Sequence, residues 1–250
     1  MSVAIDARVR RAGATPGPWS PSRVAGAAVL AAWAFLFWFL QLTGRVNLYL
    51  STRTSWVVPV GAVLLTLAAL GRIASARAQH PEPLRRREAM VLALMVLPVV
   101  IVLALPTATL GAFSASRKTP AGGGGTFSIY GEITPDSPIT LLSIAAAQTS
   151  DEGAAALAKR GDAPVDFVGF VTRFGDTPAD EFLLTRYVIT CCVADATIVQ
   201  VRVVSVVPGV VQANDWVEVK GLVYPIGREV ILNATSVVKV PRPNVPYLTP

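Results

Sequence analysis

The chain has 250 residues, of which 52% are hydrophobic and only 15% charged, against roughly 25% charged in an ordinary soluble domain. That deficit argues against a wholly soluble protein and points to membrane segments. The net charge of +6 hides a split, since residues 1–119 hold 13 Lys/Arg against 3 Asp/Glu and residues 120–250 hold 9 against 13; the basic surplus is a topology signal, not the basic face of a folded domain that a nucleic-acid partner would need.

Three apolar runs come first. "VAGAAVLAAWAFLFWFLQLTG" covers Val24 to Gly44, "WVVPVGAVLLTLAALG" Trp56 to Gly71, and "AMVLALMVLPVVIVLALPTATLG" Ala89 to Gly111. Their lengths of 21, 16 and 23 residues bracket the ~20 that a helix needs to cross the hydrocarbon core. The first run is too long for the apolar part of a cleaved signal peptide and lacks a small-x-small cleavage site after it. Pro98 and Pro106 are tolerable in a membrane helix. Three spanning helices in a lipid bilayer are expected, forming a transmembrane domain over 23–115 after a short segment, 1–22.

Basic residues set the orientation. Arg8, Arg10, Arg11 and Arg23 precede the first run, and Arg72, Arg77, Arg85, Arg86 and Arg87 lie between the second and third. The opposite side has only Arg45, Arg53, Arg117 and Lys118. Basic loops stay in the cytoplasm. The expected protein is a multi-pass cell-membrane protein with a cytoplasmic N-terminus and everything after the third helix outside.

The glycine-rich stretch 116–126 reads as a flexible linker and 127–243 as an extracytoplasmic domain. It opens with a strand candidate, "FSIYGEI", followed by helical "ITLLSIAAA" and "DEGAAALAKR". From Pro164 the pattern alternates with period two. Five strands are expected: "VDFVGFVTRF", "EFLLTRYVITCCV", "IVQVRVVSVV", "DWVEVKGLVYP" and "EVILNATSVVKV", separated by turn signals. In the fourth, Val217, Val219 and Gly221 face one way and Trp216, Glu218 and Lys220 the other. Five short strands suit a small closed barrel, OB-like in type. Gly169 and Gly221 would let its strands bend at corners. The fold class is therefore an α-helical membrane region followed by a mainly β, OB-like barrel.

Three N-terminal helices followed by "GFV", "LTRYVITCCVADA" and "DWVEVKGLV", in that order, resemble a bacterial family of permease-subunit membrane proteins whose C-terminal half is a domain of unknown function. The resemblance spans roughly residues 20–240, and "CCVADA" is its most specific mark. The glycine-rich stretch and the alanine-rich 145–158 depart from it. It implies a separate multi-spanning permease as partner and names neither substrate nor cofactor.

Cys191 and Cys192 are the chain's only cysteines. In an extended strand they point to opposite faces and cannot share a metal; if the chain turns there, they can. Three readings stand. One is a buried cysteine beside a half-exposed one, with Asp195 capping the turn. Another is a redox-active or partner-linked thiol pair, in a compartment that permits disulfides. The third is a soft-metal site of Cys191, Cys192 and Asp195. Because "ADA" turns the chain after the pair, Cys191 is expected inside and Cys192 accessible at the barrel rim. Arg186 is expected to hold Asp195 across the barrel or to lie unpaired on the surface. Trp216 reads as a barrel-face anchor, with ligand stacking as the minority use.

The only histidine, His80, lies in the loop assigned to the cytoplasm. That leaves the outer domain without a Ser-His-Asp or Cys-His arrangement, and "AGGGGT" lacks the lysine of a phosphate loop. A non-enzyme is expected. Two functions fit: an accessory permease subunit whose outer barrel gates the partner or presents its substrate, or a stand-alone tethered module for metal, small-ligand or thiol-redox work.

Overall fold

A computed structural model describes residues 17–77, 81–104, 110–115 and 137–250. The linker 116–126, the strand candidate "FSIYGEI", His80, Pro106, Arg8, Arg10, Arg11, Arg117 and Lys118 lie outside the described residues. Two compact units result, one within Met1–Thr43 and Trp56–Pro106, the other within Gly44–Ser55 and Thr107–Pro250.

The first unit has three helices long and apolar enough to cross a membrane: α1 (Pro21–Leu42), α2 (Val57–Ala74) and α3 (Arg86–Ala104). Pro21 opens α1 at its first turn, where the missing N–H costs nothing. Helix α1 packs on both others. Small residues make the close contacts: Ala27 and Ala34 of α1 and Ala62 and Ala69 of α2 are buried, as expected where lipid supplies no hydrophobic drive and backbones must approach closely. A Cβ on Gly61 would lie 2.8 Å from the Phe37 ring, so the glycine makes room for the aromatic. The Trp33 indole donates to the Met95 carbonyl at 3.0 Å, and Trp38 to the Thr66 hydroxyl at 3.2 Å. Large apolar side chains such as Leu64, Leu67, Met90 and Leu94 point outward, which suits a lipid surroundings. Helix α3 begins earlier than the apolar run, so Arg86, Arg87 and Glu88 form its first turn. Glu88 accepts a hydrogen bond from the Ser22 hydroxyl.

The second unit is a closed barrel of five strands: β1 (Ala163–Thr172), β2 (Phe182–Val188), β3 (Thr197–Val204), β4 (Trp216–Ile226) and β5 (Glu229–Lys239). Antiparallel β1–β2, β2–β3, β4–β5 and β1–β4 pairs and a parallel β3–β5 pair close the ring. This is the five-stranded Greek-key barrel of OB type. A two-residue β6 (Tyr247–Leu248) pairs with β2 in parallel. The alternation expected for β4 holds: Val217, Val219 and Gly221 are buried, while Trp216 and Glu218 are half-buried and Lys220 exposed.

Inward residues such as Phe167, Val171, Phe182, Leu184, Val201 and Leu232 make one core. Two helices join it, α5 (Leu141–Thr149) and α6 (Asp151–Ala158), with Ile144 and Leu157 fully buried. Each is capped at its start, one by a Thr140–Ser143 capping box and the other by the Ser150 hydroxyl accepting from the Gly153 amide. Gln148 fixes α5 by donating to the Gln200 carbonyl at 2.7 Å. The short α4 (Ala112–Ala115) packs against a second cluster on Phe170, Tyr187, Ile198 and Tyr247.

Candidate functional site

Strand β2 ends at Val188, five residues short of the run "EFLLTRYVITCCV". The chain bends at Thr190 and Cys191, and Val193–Asp195 makes a single 3₁₀ turn before β3. Asp195 is the local cause. Its Oδ1 accepts the Thr190 amide at 3.0 Å, and its Oδ2 the Cys191 amide at 2.7 Å and, more weakly, the Cys192 amide at 3.4 Å. A short acidic side chain that captures nearby amides offers the backbone an alternative to the ladder. Here it takes the amides that would have continued the strand.

A second loop holds the other side. Within Gly44–Ser55, Arg45–Leu48 is a 3₁₀ turn entered through Gly44, whose φ of 68° favours glycine. Leu50 forms an antiparallel bridge with Cys192. The Val193 amide donates to the Tyr49 carbonyl at 2.8 Å, and the Cys191 carbonyl accepts the Ser51 amide at 3.1 Å and the Thr54 hydroxyl at 2.6 Å. Sequence reasoning missed this loop: "NLYLST" has neither a periodic pattern nor a charge, and its partner atoms are backbone.

The bend changes the parity of the cysteines. Their Sγ atoms lie 3.6 Å apart on the same side, and both sulfurs and an Asp195 oxygen fall within 4.8 Å of one another. Cys191 is exposed and Cys192 half-buried. The expectation of a buried Cys191 is thereby corrected, because strand alternation stops at Val188 and no longer decides which residue faces the core. Among the described residues, these three side chains are the ones that combine metal-ligand chemistry with such proximity.

The carboxylate also governs the thiol. Hydrogen bonding to Asp195, and then to Cys192, pushes the Cys191 thiol up to about 11. Burial acts to raise Asp195, but the Cys191 thiol and the amides of Cys191, Thr190 and Cys192 outweigh it and hold the carboxyl below its ordinary value. Cys191 should therefore alkylate slowly near neutral pH despite its exposure. Asp195→Asn should speed it by about threefold for each unit that the thiol pKa falls, the roughly tenfold gain in thiolate being partly offset by its lower nucleophilicity. Residue-resolved mass spectrometry after timed iodoacetamide labelling reads the rate; fast labelling of Cys191 in the reduced wild type would refute this control by the carboxylate.

Arg186 does not reach Asp195. It is buried, and its guanidinium donates to three backbone carbonyls: Nε to Pro246 at 3.0 Å, Nη1 to Val168 at 2.9 Å and Nη2 to Val245 at 3.1 Å. Both expected placements, an ion pair with Asp195 and an unpaired surface charge, give way to a buried cation solvated by carbonyls. Burial lowers its pKa to about 10, so it stays charged at neutral pH. The guanidinium also lies 5.2 Å from the centre of the Trp216 ring, which packs on Phe170 at 5.7 Å. Trp216 is thus engaged on the barrel face by both Arg186 and Phe170. The glycines sit at close approaches: a Cβ on Gly169 would meet Leu184 Cδ1 and the Thr185 carbonyl oxygen at 2.9 Å, and one on Gly221 the Asn233 carbonyl oxygen at 2.2 Å.

Residues 157–250 match the family described as the DUF1980 C-terminal domain. The matched stretch holds all five barrel strands, Arg186 and the Cys191–Asp195 loop. No curated protein and no solved structure matches the chain.

Proposed function

We propose that the chain is an accessory subunit of a membrane permease, with its barrel outside the cytoplasm, where it gates the partner or presents substrate to it. The observation that carries this reading is the character of the three helices. Between their terminal turns α1, α2 and α3 contain no Asp, Glu, Lys or Arg, whereas ionisable side chains within spans ordinarily mark ion and substrate pathways. The helices therefore anchor and dock, and conduction belongs to another polypeptide. The resemblance to permease subunits supports the reading, as does the placement of the stretch that matches the DUF1980 C-terminal domain behind three membrane-length helices of this chain. The charge asymmetry supports the orientation.

Purification of the tagged chain in mild detergent should bring down a stoichiometric multi-spanning protein. A clean single species would favour a stand-alone tethered binding module. Within α1, Phe37 packs on Gly61 while Phe35 is 60% exposed. A photo-crosslinker at Phe35 should capture a second polypeptide and one at Phe37 should give crosslinks within the chain; capture at neither would count against docking through this face. A reporter enzyme that works only outside the cytoplasm, fused after Pro250, should be active, and activity confined to a cytoplasmic reporter there would reverse the orientation.

A further inference from the structure

We propose that Cys191, Cys192 and Asp195 form an exchangeable three-ligand site for a thiophilic divalent cation of the zinc class. The spacing of the sulfurs is the first ground. Two thiolates at ~2.3 Å from one tetrahedral ion are about 3.8 Å apart, whereas a linear two-thiolate complex of similar bond length would separate them by about 4.6 Å, and a disulfide by about 2.05 Å. The two sulfurs stand 3.6 Å apart in a thiol–thiol hydrogen bond, so on losing their protons they would need only a small shift to take the tetrahedral spacing. Closing the carboxylate onto the same ion requires only a small movement, since all three ligand atoms already lie within 4.8 Å of one another.

The second ground is that the backbone under the ligands is fixed from two directions. Three amides orient the Asp195 carboxylate. The Leu50 bridge holds Cys192, and Ser51 and Thr54 hold the Cys191 carbonyl. Outer contacts of this kind orient ligands and raise affinity. They also explain why two neighbouring side chains, which point apart in a strand, converge here.

The donor set narrows the ion. Two thiolates disfavour magnesium and calcium, which take oxygen ligands, and a carboxylate beside them suits zinc better than copper(I). Each thiol releases its proton to solvent as it coordinates. Among the described residues no fourth His, Cys, Asp or Glu joins the group, so one position is left for water or an incoming ligand, as in zinc sites that exchange or react rather than in closed structural ones. The site also lies outside both buried clusters, so the barrel folds without the ion. This proposal concerns the chain alone, and its test is independent of any permease partner.

The test uses the full-length protein in detergent, fully reduced and stripped with a chelator, titrated with cobalt(II) and then zinc(II). One cobalt per chain should bind with a near-ultraviolet thiolate charge-transfer band, and zinc should displace it. Cys191→Ser and Cys192→Ser should each weaken zinc binding more than ~100-fold, exceeding the effect of an outer contact, and Ser51→Pro in the supporting loop by ~10–100-fold. Far-UV circular dichroism should stay unchanged in both serine variants, and His80→Ala should bind as the wild type does. Absence of a cobalt–thiolate band in the reduced wild type, or wild-type zinc affinity in the Cys191→Ser/Cys192→Ser double variant, would overturn the site.

Discussion

Gly221→Ala should destabilise the barrel by about 3 kcal/mol or more, the upper end of the usual cost of overpacking a core. The added Cβ would lie 2.2 Å from the Asn233 carbonyl oxygen, 3.0 Å from the Asn233 carbonyl carbon and 3.1 Å from Ala234 Cα. All three are backbone atoms of β5, so no side-chain rotation relieves the clash. The position coincides with the register shift between Lys220 and Gly221, where β4 bends to keep pairing with β5 while its other edge pairs with β1. Separating the strands there breaks the ladder on which barrel closure depends. Gly169→Ala should cost less: its Cβ meets the end of the Leu184 side chain, which can turn, as well as the Thr185 carbonyl. Gly175 has open space around it, and its alanine variant should be near neutral. Hydrogen exchange of β4 and β5 amides in the detergent-solubilised full chain should rank the three in that order. Equal protection in Gly221→Ala and Gly175→Ala would mean that the bulge tolerates a side chain.

The helices and the barrel were legible in the sequence because both are written in side-chain patterns. Charge-free runs of about membrane length have few other uses, and period-two alternation from Val165 onward fits a closed sheet with one wet face. Gly221, expected to let its strand bend, stands at the β4 register shift, whereas at Gly169 the ladder to β4 runs without a shift and the glycine instead admits a close approach of Leu184 and the Thr185 carbonyl. The candidate site was legible only in its membership. "VITCCV" continues the apolar, strand-favouring pattern of β2, so nothing in it marks Val188 as the last paired residue. What ends the strand is a contest for amides, won by Asp195, and the pattern of side chains does not record it. The error about Cys191 follows directly, since parity was carried three residues past the point where the strand stops. Arg186 failed as a reading for a different reason. A search for its partner among charged residues finds Asp195, yet its real partners are carbonyls of Val168, Val245 and Pro246. Any residue offers a carbonyl, so only the fold singles these out.

Arg186→Met should cost about 3 kcal/mol, in the range for breaking a buried charged contact, and its effect should be concentrated at one edge of the barrel. The guanidinium fork joins β1, through Val168, to the C-terminal segment, through Val245 and Pro246. That segment carries β6, which pairs Tyr187 with Tyr247 and Val188 with Leu248. Methionine fills similar space but donates nothing, so three carbonyls lose charge-assisted hydrogen bonds worth ~1.5–3 kcal/mol each. Release from burying a cation offsets part of that loss, which is why the net falls well below the sum. Lysine keeps the charge but presents it as a point rather than a planar fork. It should satisfy fewer carbonyls at once and fall between the wild type and methionine. The Ile189 amide donates to the Leu248 carbonyl at 3.0 Å, just before the bend that brings the cysteines together. Loss of Arg186 should therefore speed amide exchange at Leu248 and Ile189 first and at Thr190 to Cys192 next, while the β4–β5 pair stays protected until global unfolding. Trp216 fluorescence should shift as well, since the guanidinium covers its ring. Uniform loss of protection around the whole barrel would instead make Arg186 a general core residue, and wild-type exchange in both variants would show that the C-terminal strand is held without it.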